Sequence, residues 1–330
     1  MAEVVPNYEA EPQVLRSVQR TPGIDAFRVV MAFLVVILHT LPGRGSNRLS
    51  MVAIICHCSV PFFLITSGYY LKIPPRLSAM FFARPLMRLL PIYLFWMIIF
   101  YCVAYVTKVS PLRFGVRELL SGGTAFHLWY LPALLVATVL VPISVLKLGM
   151  RVTGLICGLL AIVVIARGAY HDLFHLPATF SRDKILVAPI FLFTGFWLAR
   201  RQFSPSKSVA LAMAVAGFAI IVAEELMISR WVGMPFKDHA VSIGTFAFSA
   251  GVFLFARALP LSAAVERLAT LGKYTLGIYV SHLLFIWGLV ATFGSITRTG
   301  LLWRAPMAFA CALLLTVGLQ KIPYLRRIVA

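Results

Sequence analysis

The sequence predicts an all-α integral membrane protein: a bundle of about ten transmembrane helices, N-in and C-in. Three observations carry this. Of 330 residues, 61% are apolar and only 12% are charged, against about half and about a quarter in soluble domains. The mean hydropathy is +0.91. The apolar residues form continuous runs of span length, not the alternation of barrel strands. This composition excludes an ordinary soluble enzyme. It also excludes disorder, which needs low hydrophobicity and high charge.

Residues 1–23 are polar and carry Glu3, Glu9 and Glu11. They lack the basic stretch and short apolar core of a cleavable signal, and read as a cytoplasmic tail. Apolar runs follow at 24–42, 51–71, 86–106, 127–146, 152–169, 185–199, 208–228, 240–258, 274–293 and 301–320. Together they make one membrane domain over 24–320, with 321–330 as a second cytoplasmic tail. The sixth run is short for a span, which tilt or its flanks can accommodate. The connections are too short to hold a soluble catalytic domain, so any chemistry comes from the spans and their loops.

The formal net charge is +19, from 30 basic and 11 acidic residues. In a soluble protein this would suggest nucleic acid. Here no nucleic-acid partner is expected, because polytopic membrane proteins gather Lys and Arg in cytoplasmic loops. With the N-terminus inside, the inner segments hold Lys72, Arg76, Arg84, Arg88, Arg200, Arg201, Arg257 and Lys273 among others. The outer loops hold fewer, including Arg44, Arg113, Arg182 and Lys237. The bias is modest and favours both termini inside. The five cysteines all fall in apolar runs, and none has metal-site or disulfide-framework spacing. No metal is expected.

The first span carries two residues that are costly in lipid, Arg28 and His39. Eleven residues at about 100° each come to about 20° past three full turns. Arg28 and His39 therefore share one stripe, about 16 Å apart along the axis. Asp25 sits one turn before Arg28, where it can pair with it. A polar stripe on an apolar helix faces protein or water rather than lipid. Taken singly, Arg28 could snorkel to the headgroups and His39 could sit at the interface. Together on one stripe they point to a site.

The arrangement of an Arg, ten residues and a His in the first span resembles the membrane acyltransferase 3 family. Val60–Leu71, with Ser67-Gly68-Tyr69, is similar to that family's aromatic-rich segment. His127-Leu128-Trp129-Tyr130-Leu131 resembles its His-Leu-Trp-Phe-Leu motif. Leu271–His282, with Gly277-Ile278-Tyr279, resembles its late segment ending in His. Within the family, the length and the Gln320-Lys321-Ile322 ending are most similar to surface-polysaccharide O-acetyltransferases. One departure is that the family's Arg pair three apart is here Arg84 and Arg88, four apart with Pro85 between them. Four residues still share a face, and Pro85 suits the first turn of a helix.

The resemblance implies an acetyl-CoA co-substrate, a glycan acceptor, free or lipid-linked, a lipid-bilayer setting and the bacterial inner membrane. Lys72, Arg76, Arg84 and Arg88 cluster at the inner edge, where phosphates of an acyl-CoA would meet them; plain positive-inside anchoring explains the same cluster. His39 lies in the outer half of the membrane. Its imidazole suits proton removal from a sugar hydroxyl, and an acyl-histidine is the alternative. Arg28 stabilises phosphate or thioester, or fixes the helix through Asp25. Ser67 is a less favoured nucleophile. His57, His127, Trp129 and Glu224 lie at the depth of His39 and are acceptor-site candidates. His282, near the middle of the ninth span, is another, or a bridge between helices. His171, His175 and His239 are expected to be solvated. A transporter or flippase for an anionic or lipid-linked substrate would also use an intramembrane Arg and His. A structural protein would leave the stripe unexplained.

Overall fold

The computed structural model describes residues 20–42, 47–113, 115–175, 184–233, 239–295 and 297–329. The N-terminal tail to residue 19, with its three glutamates, lies outside these, as do Arg44, Arg182 and Lys237. Every regular element among the described residues is helical. They are α1 (Pro22–Thr40), α2 (Asn47–His57), α3 (Ser59–Tyr69), α4 (Ala79–Thr107), α5 (Val116–Leu120), α6 (Tyr130–Arg167), α7 (Val187–Arg200), α8 (Lys207–Val232), α9 (Ile243–Arg257), α10 (Ala263–Thr270), α11 (Thr275–Phe293) and α12 (Arg298–Lys321). Single 3-10 turns precede α6, at Phe126–Trp129, and α11, at Leu271–Tyr274.

Among the described residues, seven helical segments are long and apolar enough to cross a membrane: 22–40, 49–69, 79–107, 126–167, 207–232, 263–293 and 300–321. Two more apolar helices, α7 and α9, are shorter, at 14 and 15 residues. The segment 126–167 is broken inside α6 at Gly149, whose φ of 78° is a conformation side chains resist. The fourth and fifth apolar runs of the sequence fall on either side of that break.

Start and stop signals act locally. Pro22 opens α1, where its missing N–H costs nothing. Ser78 caps α4, its hydroxyl accepting from Phe81 N at 3.2 Å. The helix therefore begins before Arg84, and Pro85 lies beyond its first turn, contrary to the sequence expectation. α2 and α3 meet at Cys58 as one interrupted span.

Packing sets the geometry around α1. It lies against α3, α9, α10, α11 and α12. Phe27 meets Phe62 of α3 and Phe255 of α9, and Phe33 meets Phe309 of α12. α3 crosses α7 closely, because a Cβ at Gly68 or Gly195 would run into the opposite backbone. Arg28, near the start of α1, meets Thr275 at the start of α11. His39, near the end of α1, meets His282 further along α11. The two helices therefore run in the same direction.

Candidate active site

Three imidazoles from distant parts of the chain converge at the far end of α1. His39 comes from α1, His127 from the turn before α6, and His282 from α11. The His39 and His282 rings are near-parallel at 19°, with centroids 5.3 Å apart. His127 stands edge-on to both, 4.9 Å from His282 and 6.2 Å from His39. Phe126 packs on His39 at 5.2 Å, and Phe100 of α4 packs on His127 at 5.1 Å.

Backbone carbonyls fix the tautomers. His282 Nδ1 lies 2.7 Å from Tyr279 O and 3.3 Å from Ile278 O. A carbonyl only accepts, so Nδ1 carries the proton and Nε2 keeps its lone pair. His127 Nε2 lies 3.3 Å from Val280 O and donates to it, leaving the lone pair on Nδ1. Tyr279 locks the turn by donating its hydroxyl to His127 O. His127 is 1% exposed and His282 0%. His282 Nε2 and His127 Nδ1 have no hydrogen-bond partner among the described residues. Buried polar atoms are almost always paired, so two bare acceptors side by side are unusual. Such a place can receive O–H or N–H donors.

The other end of the α1 stripe is tied down. Arg28 donates to Asp25 Oδ1 at 3.0 Å and to Thr275 Oγ1 at 3.1 Å. Asp25 also pairs with Arg20 at 2.7 Å. Arg28 thus joins α1 to α11, and its side chain is still 26% exposed. Ser67 donates to Phe63 O at 2.8 Å. Its hydroxyl is occupied, which argues against a nucleophilic role. Lys72, Arg76, Arg84 and Arg88 are all exposed. Tyr70, beside Lys72, accepts from Thr21 N at 3.2 Å. That bond places the linker before α4 at the Arg28 end of the bundle.

Other candidates stand elsewhere. Glu224 of α8 accepts from Tyr170 Oη at 2.7 Å, Ile243 N at 2.9 Å and Gly244 N at 2.8 Å. It caps the N-terminus of α9, where a carboxylate is favourable, and both of its oxygens are in use. Glu225 takes His239, N and Nδ1, at 2.8–3.0 Å. His171 meets Asp172 through Nε2 at 3.1 Å, donates from Nδ1 to Gly168 O at 2.8 Å, and has its ring 6.5 Å from that of His239. His171 and His239 are therefore partnered and half-buried, not simply solvated. Burial and the Glu224 carboxylate push the Tyr170 phenol up from its ordinary range. Trp129 is the fourth residue of the turn that carries His127. Among the described residues, no group of three or more His, Cys, Asp or Glu is arranged to hold a metal ion.

Sequence reasoning found all three histidines but did not join them. It missed Phe100 and Phe126, whose signal is only that of core aromatics. Tyr279 lies in the Gly277-Ile278-Tyr279 segment, where the sequence alone assigns it no role.

Residues 21–320 match the acyltransferase domain family. The chain belongs to that family. It is an integral membrane protein by its apolar helices and this domain. It is also similar to two proteins named amino-acid racemase from Enterococcus faecalis. One is 25% identical, covering 59% of this chain and 32% of the relative; the other is 27% identical, covering 54% and 28%. A serine/alanine racemase from Enterococcus gallinarum is 30% identical, covering 56% and 30%. The matched part is thus about a third of each of these relatives. No solved structure matches.

Proposed function

We propose that this protein is an integral-membrane O-acetyltransferase. It moves an acetyl group from cytoplasmic acetyl-CoA to a hydroxyl of a surface or exported glycan, presented as a lipid-linked chain in the bacterial inner membrane. Enterobacterial common antigen is a glycan of the class meant. The observation that carries this reading is the convergence of three imidazoles with two bare buried nitrogens at the end of the α1 stripe. Membership of the acyltransferase family supplies the reaction type. The racemase names belong to relatives about three times the matched length.

In this reading His39 is the general base. It takes the proton of the attacking hydroxyl, the ester C–O bond forms and the thioester C–S bond breaks. The proton then passes to the departing thiolate. His282 Nε2 and His127 Nδ1 accept from neighbouring hydroxyls of the sugar. Lys72, Arg76, Arg84 and Arg88 receive the donor's phosphates at the Arg28 end. Arg28 holds α1 and α11 in register, so that His39 meets His282. Its exposed part faces the donor's path.

The reading of ten crossings with N-in and C-in orientation is supported by helix direction. α1 and α11 run the same way, as first and ninth crossings would. α12 returns antiparallel to α11, with Gly277 against Thr316 and Phe293 against Trp303.

The test is transfer of radiolabelled acetyl from acetyl-CoA to glycan in membranes containing wild-type protein or His39→Ala. Loss of transfer in a variant that still inserts supports the reading. Unchanged transfer overturns the role of His39. Movement of glycan across the bilayer without acetyl-CoA consumption would instead indicate a flippase.

A further inference from the structure

His127 reaches the histidine centre on a loop that leaves α4 and returns before α6. Side chains moor this loop on both sides. On the α4 side, Tyr93 and Tyr101 donate their hydroxyls to Leu119 O and Arg113 O. Inside the loop, Arg113 N donates to Thr124 Oγ1 at 3.1 Å. On the α11 side, Tyr279 donates its hydroxyl to His127 O. Val280 O accepts from His127 Nε2 at 3.3 Å. Thr124, Ala125, His127 and Leu128 are each no more than 2% exposed. The end of the loop is therefore part of the core, and its place depends on what holds it.

Tyr279 differs from the other two tyrosines, because it holds both histidines that carry a bare nitrogen. Its hydroxyl takes the backbone of His127, and its own carbonyl takes Nδ1 of His282 at 2.7 Å. Its ring packs on His127 at 5.6 Å, on Tyr130 at 5.4 Å and on His282 at 6.1 Å. The helix beneath it is fixed. Ile278, Val280 and Ser281 are wholly buried, and a Cβ at Gly277 would run into Thr316 of α12. One residue on a rigid helix thus sets where His127 Nδ1 stands relative to His282 Nε2. In these tautomers both nitrogens only accept. Two acceptors at a fixed spacing select a ligand with two donors to match. A ligand lacking one donor leaves a buried acceptor unpaired, which is costly.

We propose that Tyr279 is a positioning residue for acceptor recognition. By holding the His127 turn on α11, its hydroxyl sets the spacing of the two bare nitrogens. The site then selects a glycan that presents a second donor, a hydroxyl or an amide N–H, beside the hydroxyl to be acetylated. This rests on the acetyltransferase reading above. Tyr279 neither gives nor takes a proton in the transfer.

Two variants separate this role from general support of the loop. Tyr279→Phe removes one hydroxyl and keeps the ring. Tyr93→Phe removes a mooring of the same loop on the α4 side and leaves both histidine contacts in place. Each full-length protein is purified, shown to be monodisperse, and measured in two ways. One is acetyl transfer from acetyl-CoA with lipid-linked enterobacterial common antigen as acceptor. The other is carbethoxylation of His127 by diethyl pyrocarbonate, read by mass spectrometry without any acceptor. Tyr279→Phe is expected to raise the acceptor KM about tenfold and to leave the acetyl-CoA KM unchanged. Carbethoxylation of His127 should rise severalfold in the same variant. Tyr93→Phe should stay within about twofold of wild type in both measurements. The role is overturned if Tyr279→Phe keeps the acceptor KM of wild type, or raises both KM values alike. It is also overturned if Tyr93→Phe raises the acceptor KM as much, because any loosening of the loop would then suffice. A His127 equally protected in Tyr279→Phe refutes the tether itself, whatever the activity. Absence of transfer by the wild type sinks the acetyltransferase reading and the acceptor selection with it, while the carbethoxylation result still decides the tether.

Discussion

The histidine centre and the carboxylate cluster around Glu224 are both buried and polar, and they treat their lone pairs in opposite ways. At Glu224 each oxygen is used, by the Tyr170 hydroxyl and by two backbone N–H groups of α9. Glu225 is likewise filled by His239. At the histidines, one nitrogen of His127 and one of His282 are fixed by carbonyls, and the other is left bare. A saturated buried group stabilises the fold. A bare one costs stability, and persists where it meets a substrate. In the proposed reading the difference separates architecture from chemistry, although both regions looked alike as polar residues in apolar runs.

The largest test of this contrast is His39→Ala. Acetyl transfer should fall by at least about 100-fold, with thermal stability in detergent nearly unchanged. Glu224→Ala should do the reverse. It strands the buried N–H of Gly244 and the part-buried N–H of Ile243 at the start of α9 and should cost about 2 kcal/mol of stability. Turnover per folded molecule should stay near wild type, as a thermal melt and an activity assay on the same sample would show. A Glu224 variant that is stable but inactive would break the comparison.

Arg28→Lys sharpens it further. Lysine cannot bridge Asp25 and Thr275 with a planar fork. A several-fold loss of transfer with little change in melting is expected, since the His39–His282 register loosens. Replacing Arg84 and Arg88 together by Ala should raise the acetyl-CoA KM about tenfold and leave kcat alone. An unchanged KM would reduce the pair to membrane anchoring.

The smallest effect concerns pH. Burial and Glu224 raise the Tyr170 phenol above its ordinary 10. Between that value and the folded one, the unfolded chain has lost the proton and the folded chain keeps it. Stability therefore declines as pH rises through this window. Tyr170→Phe should flatten the decline in melts taken from about pH 9 to 11.

Much of the fold was legible in the sequence. Continuous apolar runs can only be helices in lipid, because every backbone group must be satisfied within its own segment. The ten runs coincide with helical segments, including those on either side of Gly149. The stripe of Arg28 and His39 was legible because helix periodicity is a local rule. Caps were less so. Ser78 starts α4 earlier than the Arg84–Pro85 pattern suggested, because a hydroxyl that accepts from Phe81 N outweighs proline's preference for a first turn.

What the sequence determined by itself, then, is a helical membrane chain of the acyltransferase kind with a costly Arg and His on one face. The tertiary structure decided which other residues matter. Glu224 and His282 are both single polar residues in apolar runs, and no periodicity tells them apart. Their roles depend on neighbours distant in the chain: the N-terminus of α9 for Glu224, and α1 with the turn of His127 for His282. Helix periodicity fixes which face a residue occupies. Only the packing of one helix on another fixes what that face meets, and so whether a buried nitrogen or oxygen is filled or left bare.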